Sequence, residues 1–558
     1  MEKPNPQSGP VWPRAFSRRW QLALVVTAVA HGWATLALFG AQPWTGLTDD
    51  RPLLSGRHAL HLYHGFLGAQ TFKNHGRTLC YDPAVYAGYP KTPWLDANSK
   101  PAELALWIGG GGFRPAAYKL GVAMVWFLLP LLLPVAAASM RWELAAGCTA
   151  AWLGAALCWS DLGRSMLWAG DVDLLLAAGL TVVHAALLSA HSRQPSFALW
   201  LGLLFTGWGM VFCQPGLLAV VLVLGAFCCL HSAGRHSSAW YLGLVAVLGL
   251  SAAGNAWWLR DAVAYWWIQV DSPGSASLPL LFLRAAGRWS LFTVIFALAL
   301  PLAHAARWLI AWLSRRQVLR LAAFALSAMF MALPIAAFYR ETANRTLPIG
   351  LPPSLTATTL ALEQATTSDA RILWEEAAAT DDWTPLLPVL TGRPFVGGLG
   401  RPAAIEHAAG RLRDGLLAGR YLANWTDAEL AEYCRRYNIG WIACRTAAVA
   451  ERLQRWPAAE ALPPLPNGDS WFVVHREPSY FLVGGGKVRN CDAQGLTLTD
   501  LQPVNGFVVL SFHSPPRVWA ASKWVRIEKE PQMDDAIPFL RLRLAEPMTR
   551  LTLYWNGE

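Results

Sequence analysis

The chain has 558 residues, of which 54% are hydrophobic and 15% charged, and it carries 30 Trp and a formal net charge of +10. Its apolar residues crowd into the first 340 positions, which excludes a single water-soluble domain and describes a polytopic α-helical membrane protein. The clearest basic cluster sits in loops between apolar runs, so the charge follows from membrane topology and does not point to nucleic acid.

Arg14, Arg18 and Arg19 precede residues 20–40, which contain no charge. At about 1.5 Å per residue such a run crosses the roughly 30 Å hydrocarbon layer. It is longer than the apolar core of a signal peptide and lacks a clear small-residue cleavage pattern, so it reads as an uncleaved first span. Further spans are predicted at 116–138, 144–159, 172–190, 198–213, 216–230, 240–257, 290–313 and 321–338, about nine or more in all. Loops carrying Arg141, Arg193, Arg235 and the cluster Arg315, Arg316 and Arg320 alternate with loops carrying Asp49, Asp50, Asp82, Asp96, Glu103, Asp161, Asp171, Asp173, Asp261 and Asp271. The positive-inside rule then places the N-terminus in the cytoplasm and the acids on the outer face of the inner (plasma) membrane. Residues 1–19 form a cytoplasmic basic tail, 20–340 the membrane domain with its outer loop 41–115, and 341–558 a soluble extracytoplasmic domain.

That last region contains turn sequences such as PNGD and VNGF. Thr426 and Glu429 form a capping-box pattern, Leu430, Tyr433, Cys434 and Tyr437 follow at helical spacing, and the apolar run 439–444 then reads as a strand. Leu540, Leu542 and Leu544 alternate with arginines, and Leu551, Leu553 and Trp555 alternate with Arg550, Thr552 and Tyr554, the period of half-buried strands. An α/β segment followed by an antiparallel β layer is expected. Cys434 and Cys444 either bridge across the helix-strand turn or remain thiols.

In the loop 41–115, the adjacent Asp49 and Asp50 beside an apolar run can bind a divalent metal, act as a general base, or pair with Arg51 and Arg57. Asp171-Val-Asp173 opens a later span, where the helix dipole tolerates carboxylates with or without metal. The two acidic motifs, in successive outer loops, are expected to line one cavity. Arg51, Arg57, Lys91, Lys100, Arg164, Arg260 and Arg340 are outer-face cations at the height of a lipid phosphate, with Arg260 and Arg340 beside Trp257, Trp258 and Tyr339. His58, His61 and His64 recur every three residues. They fit either metal ligands or an amphipathic surface helix with Leu60, Leu62 and Phe66 towards lipid, and His61 is placed to contact a donor phosphate. Gly109–Gly112 ends a short helix over 102–108 and lacks the Lys-Ser/Thr of a phosphate loop.

These features resemble a family. The stretches TDD, HALHLYHG and YDPAVYAGYPKTP, the D-x-D of the next acidic loop and the Trp-rich spans look like the GT-C class of integral membrane glycosyltransferases. They are similar in particular to a bacterial subgroup of membrane proteins described as related to 6-pyruvoyl-tetrahydropterin synthase. The resemblance implies transfer of a hexosyl or pentosyl group from a polyprenyl-phosphate sugar donor to a glycan, lipid or protein acceptor, with inversion. It implies Asp49 or Asp50 as the catalytic loop acid, Asp50 being favoured because it lies farther from the span, and Asp171 and Asp173 as holders of a divalent cation, Mg2+ or Mn2+. Arg57, His61, Lys91, Asp96, Arg260 and Arg340 are the expected substrate-binding residues. The WWDYG motif of the oligosaccharyltransferase branch is absent after Phe338, and the loop pair is Asp-Asp where the mannosyltransferase branch prefers Asp-Glu. Two other classes compete: a transporter or flippase of lipid-linked sugars, and a non-catalytic scaffold with a sugar-binding outer domain. A transporter would carry ionisable groups near mid-membrane, whereas here the span interiors are nearly free of acids.

Overall fold

The computed structural model describes residues 18–558 apart from 78, 92–98, 266–267, 269–277, 315–324, 326–327, 330–331, 337–345, 377–381, 400–406, 408–409, 516, 531–536, 547 and 556–558. The chain divides into two compact units. The first comprises 1–49, 119–256 and 282–347, and the second 50–118, 257–281 and 348–558.

The first unit is helical. Helix α1 (Arg18–Ala37) is followed by the short α2 (Pro43–Thr48). After α3 (His58–His75) and α4 (Lys100–Ile108), which belong to the second unit, the chain returns through α5 (Pro115–Leu128) and α6 (Leu132–Ser139). Next come α7 (Leu144–Cys158), α8 (Asp161–Trp168), α9 (Val172–Arg193), α10 (Phe197–Cys213), α11 (Leu217–His231) and α12 (Ser238–Ala253); α13 (Ala256–Ala264) belongs to the second unit from Trp257 on, and α14 (Leu278–Ser314) to the first from Phe282 on. The expected spans before residue 314 fall on helical chain, 240–257 crossing the bend between α12 and α13, and the last, 321–338, lies largely outside the described residues. Among the described residues, four stretches are long and apolar enough to cross a membrane: 20–37, 115–139, 172–193 and 289–313. A fifth joins them if α12 and α13 form one broken span, while α7, α10 and α11 are shorter apolar helices.

Small residues let these helices approach closely, as packing without a hydrophobic driving force requires. A Cβ on Gly179 of α9 would lie 2.5 Å from the Leu132 side chain, and one on Gly154 of α7 would lie 2.5 Å from Leu133. Polar side chains in this unit bond internally: His31 Nε2 lies 3.1 Å from the Trp126 carbonyl, and Trp159 Nε1 donates to His31 Nδ1 at 3.2 Å.

The second unit contains α3, the hairpin β1 (Tyr81–Asp82) and β2 (Tyr89–Pro90), α4 and the C-terminal region. Helix α4 is capped by Ser99, whose hydroxyl accepts from the Ala102 amide, and ends at Gly109, as its sequence dictates. The C-terminal region begins with α15 (Pro353–Ala365), β3 (Arg371–Trp374), α16 (Leu387–Thr391) and β4 (Phe395–Val396). A small sheet of β5 (Leu412–Arg413), β6 (Leu416–Leu417) and β7 (Arg420–Tyr421) precedes α17 (Asp427–Arg436) and β8 (Ile439–Cys444). The capping box forms as expected: the Glu429 amide donates to Thr426 Oγ1 at 3.2 Å and the Thr426 amide to Glu429 Oε2 at 2.8 Å. Asn438 then turns the chain into the strand with φ of 52°. After α18 (Ala447–Gln454), β9 (Ala459–Ala461) and β10 (Ser470–Val474) complete a five-stranded sheet of order β4-β3-β8-β10-β9. Strand β3 runs parallel to both β4 and β8. Cys434 and Cys444 are buried thiols, not a bridge.

The expected antiparallel layer is a pair of layers. Strands β11 (Phe481–Val483), β14 (Phe507–His513), β17 (Phe539–Leu544) and β16 (Val525–Glu530) form one sheet in the order β11-β14-β17-β16. Strands β12 (Gly485–Cys491), β13 (Gly495–Gln502), β18 (Arg550–Tyr554) and β15 (Trp519–Ala520) form the other, ordered β12-β13-β18-β15. The alternating leucines of β17 and β18 meet in one core with Leu496, Leu498, Val508 and Leu510, the face-to-face packing of two sheets.

The crevice at the carboxyl end of β3, where parallel strands diverge to either side, is the usual ligand position in an open α/β sheet. Here the chain fills it. Glu375 accepts from the amides of Gly415 (2.8 Å), Arg445 (2.8 Å) and Thr446 (2.9 Å) and from the Thr446 hydroxyl (2.5 Å). An internal carboxylate thus occupies the anion position at the start of α18.

Candidate functional site

The acidic pair spans the division between the units: Asp49 ends the first and Asp50 opens the second stretch. Pro43 starts α2, and Asp49 is its C-cap, with its amide donating to the Thr45 carbonyl at 2.9 Å. Gly46 lies so close beneath the Phe39 carbonyl that a Cβ would come within 2.0 Å of that oxygen, so only glycine fits. Lys119, on the first turns of α5, is fully buried and donates to the Gly46 carbonyl at 2.6 Å and to Asp49 Oδ1 at 2.5 Å. The Asp49 side chain is 21% exposed, and Asp50 is exposed. The two neighbours therefore differ: one carboxylate is held by a buried ammonium, the other faces out.

The D-x-D motif lies in the first unit, and both of its acids are buried rather than solvated at a helix end. Asp171 is the N-cap of α9, and Asp173 in its first turn accepts a hydrogen bond from the Gln214 side-chain amide. The Gln214 amide thus presents its NH2 group, a donor, to the Asp173 carboxylate. On α8, Arg164 donates to Asp161 at 3.2 Å.

In the second unit the histidines of α3 differ from the amphipathic surface helix that their spacing allows. His58, His61 and His64 are all buried, as are Leu60 and Leu62, because α3 is flanked by α4 and by the β1-β2 hairpin. His58 Nδ1 lies 2.8 Å from the Tyr118 hydroxyl and His64 Nε2 lies 2.7 Å from that of Tyr89. Among the described residues, no group of three His, Cys, Asp or Glu side chains is arranged to hold a metal. Arg57 caps α3 and is half-buried. Lys91 is buried against Glu103 at 2.5 Å, and Lys100 shares that carboxylate at 2.8 Å. Burial pulls the Lys100 ammonium down to about 8 against the attraction of Glu103. Burial also opposes ionisation of Glu103, but the two lysines prevail and hold its carboxyl below the usual range. Arg260 is exposed and lies 4.0 Å from its buried neighbour Asp261, which also pairs with Arg517 at 3.5 Å. Asp96 and Arg340 lie outside the described residues.

The YDPAVYAGYPK stretch knits the second unit together. Tyr86, Ala87 and Gly88 turn with positive φ, and a Cβ on Gly88 would fall 1.7 Å from the Tyr81 hydroxyl. The Tyr86 amide donates to the Phe395 carbonyl at 2.9 Å, the Phe395 amide to Ala84 at 2.7 Å and the His513 amide to Ala87 at 2.9 Å, joining the hairpin to the mixed sheet and the sandwich. Asp82 is buried, accepting from the Tyr63 hydroxyl at 2.8 Å and the Ala84 amide at 2.9 Å. Burial outweighs these bonds and raises its carboxyl to about 6 from an ordinary 3.8. A raised folded pKa means the folded state holds the proton more tightly, so the contribution is full below 3.8 and is lost as pH rises through about 6. The loss is roughly 3 kcal/mol. Thermal midpoints of the purified protein should fall across that window and flatten there in an Asp82→Asn variant; an unchanged slope would contradict the assignment.

No protein-family model matches the chain, and no curated protein matches it by sequence. The solved structures are informative. An arabinofuranosyltransferase, AftD from Mycobacteria, superposes with a TM-score of 0.54 at 13% identity, covering 84% of this chain. The chain has the GT-C fold. It spans 43% of that transferase's length. An oligosaccharyltransferase from Archaeoglobus fulgidus, tethered to an acceptor peptide, gives 0.48 at 11% identity over 83% of this chain and 74% of its own. ArnT from Cupriavidus metallidurans bound to undecaprenyl phosphate gives 0.41 at 13% identity over 83% and 99%. The assignment of the GT-C fold rests on the first. Lys119 is the residue near the acids that sequence reasoning passed over. Its signal was available: a lone lysine inside an apolar helix is costly unless it has a partner.

Proposed function

We propose that this GT-C protein transfers a hexosyl or pentosyl group from a polyprenyl-phosphate donor to an acceptor hydroxyl at the outer face of the membrane, with Asp50 as general base. The observation that carries the reading is the exposed Asp50 carboxylate directly after a neutralised twin, at the end of α2 in a fold shared with a sugar transferase. Asp50 takes the proton from the acceptor hydroxyl, whose oxygen attacks the anomeric carbon. The bond from that carbon to the phosphate oxygen breaks, and polyprenyl phosphate leaves with the electron pair, inverting the centre. Arg57 and Arg260 are the cations we assign to the leaving phosphate. Asp171 and Asp173 are the residues that would hold a divalent cation, which would supply positive charge to the leaving phosphate. The acidic loop faces outward by the alternation of basic and acidic loops.

The test is incubation of the purified protein with radiolabelled polyprenyl-phosphate sugars and a panel of glycan, lipid and protein acceptors, with and without chelator. Label on an acceptor supports the reading, and a fall in rate with chelator supports the cation. No labelled acceptor across the panel refutes the transfer.

A further inference from the structure

We infer that Lys119 is a positioning residue for the transfer and that it acts through Asp49, a role resting on the proposed reaction. Asp49 and Asp50 look equivalent in sequence, but only one of them is tied down. The Lys119 ammonium is fully buried and reaches two groups at once, the Gly46 carbonyl at the end of α2 and Asp49 Oδ1. It thereby joins three segments: α5, which carries it, α2, which it caps from the side, and the turn that leads into Asp50. Gly46 seats the same turn against the end of α1, because the Phe39 carbonyl leaves no room for a Cβ.

The chemistry divides the pair. A buried ammonium with no anion would be expensive, so Asp49 supplies the charge that lets Lys119 sit inside the helical unit. Its Oδ1 is committed to that ammonium, so Asp49 serves as a counter-ion and not as the base. Asp50 is the next residue on the backbone that the Asp49 contact holds. Lys119 touches neither substrate nor reacting atom; it sets where the Asp50 carboxylate points.

The experiment compares Lys119→Met, Asp49→Asn, the double variant and Lys119→Arg in the full-length protein, reading kcat, donor KM and thermal midpoint. Displacing a catalytic group by about 1 Å costs on the order of 10²-fold in rate. Lys119→Met and Asp49→Asn are each expected to lower kcat by about tenfold to 10²-fold with donor KM held. The double variant should be no worse than the worse single one, since both break the same contact. Lys119→Arg should recover part of the loss. Three results overturn the inference: Lys119→Met at the unmodified rate, multiplying losses in the double variant, or Asp49→Asn falling far below Lys119→Met. The last would make Asp49 itself the base. If the unmodified protein transfers no sugar, the transfer reading fails on its own. The pairing is then judged from thermal midpoints, where additive losses for Lys119 and Asp49 would refute it.

Discussion

Asp50→Asn is expected to lower kcat for sugar transfer by 10²–10⁴, or roughly 3–5 kcal/mol, without loss of folded protein. The amide keeps the shape of the carboxylate and removes its affinity for the acceptor proton. Asp50 is exposed, so the change leaves no buried group unpaired. Asp49→Asn behaves differently. Its carboxylate balances the buried Lys119, and the variant loses geometry rather than the proton acceptor, so it stays well above Asp50→Asn in rate. If both amide variants transferred sugar at the unmodified rate, neither carboxylate would be the base.

The largest stability effect is expected at Glu375→Ala. Removing this carboxylate strands three backbone amides and a hydroxyl at the closed end of the β3-β8 crevice. Each buried donor left without a partner costs about 1–3 kcal/mol, and with some relaxation the sum is roughly 3–5 kcal/mol. The thermal midpoint of the purified protein should drop clearly, and protease cleavage should rise near Gly415 and Arg445. A change below about 1 kcal/mol would show that water satisfies these amides and that the crevice is open.

The elements that could be read from sequence are those governed by neighbours along the chain. The Thr426–Glu429 capping box, the helix after it and the strand beyond Asn438 are local grammar, and they form as written. The alternating leucines of β17 and β18 also declare their strands, although alternation alone could not show that two sheets would close over one core. Helix α3 marks the opposite case. Its three-residue histidine spacing is the same whether those side chains meet water, metal or tyrosines, and only the packing of Tyr118 at the start of α5 and Tyr89 of the 81–91 hairpin decides. Glu375 and Glu376 give no local sign of importance, because their partners come from residues far along the chain, among them Tyr86 and Thr446. At the candidate site the acidic pair was visible from its charge beside an apolar run. The inequality of its two members was not, since it depends on a lysine seventy residues away.

The measurement that bears most directly on the central claim is the mass of a defined acceptor after incubation with the protein in vesicles loaded with a single polyprenyl-phosphate sugar. Transfer predicts an acceptor heavier by one glycosyl residue, stoichiometric release of polyprenyl phosphate and loss of both in Asp50→Asn. An acceptor of unchanged mass, with the intact lipid-linked sugar moved from one leaflet to the other, would contradict the account and make the protein a transporter.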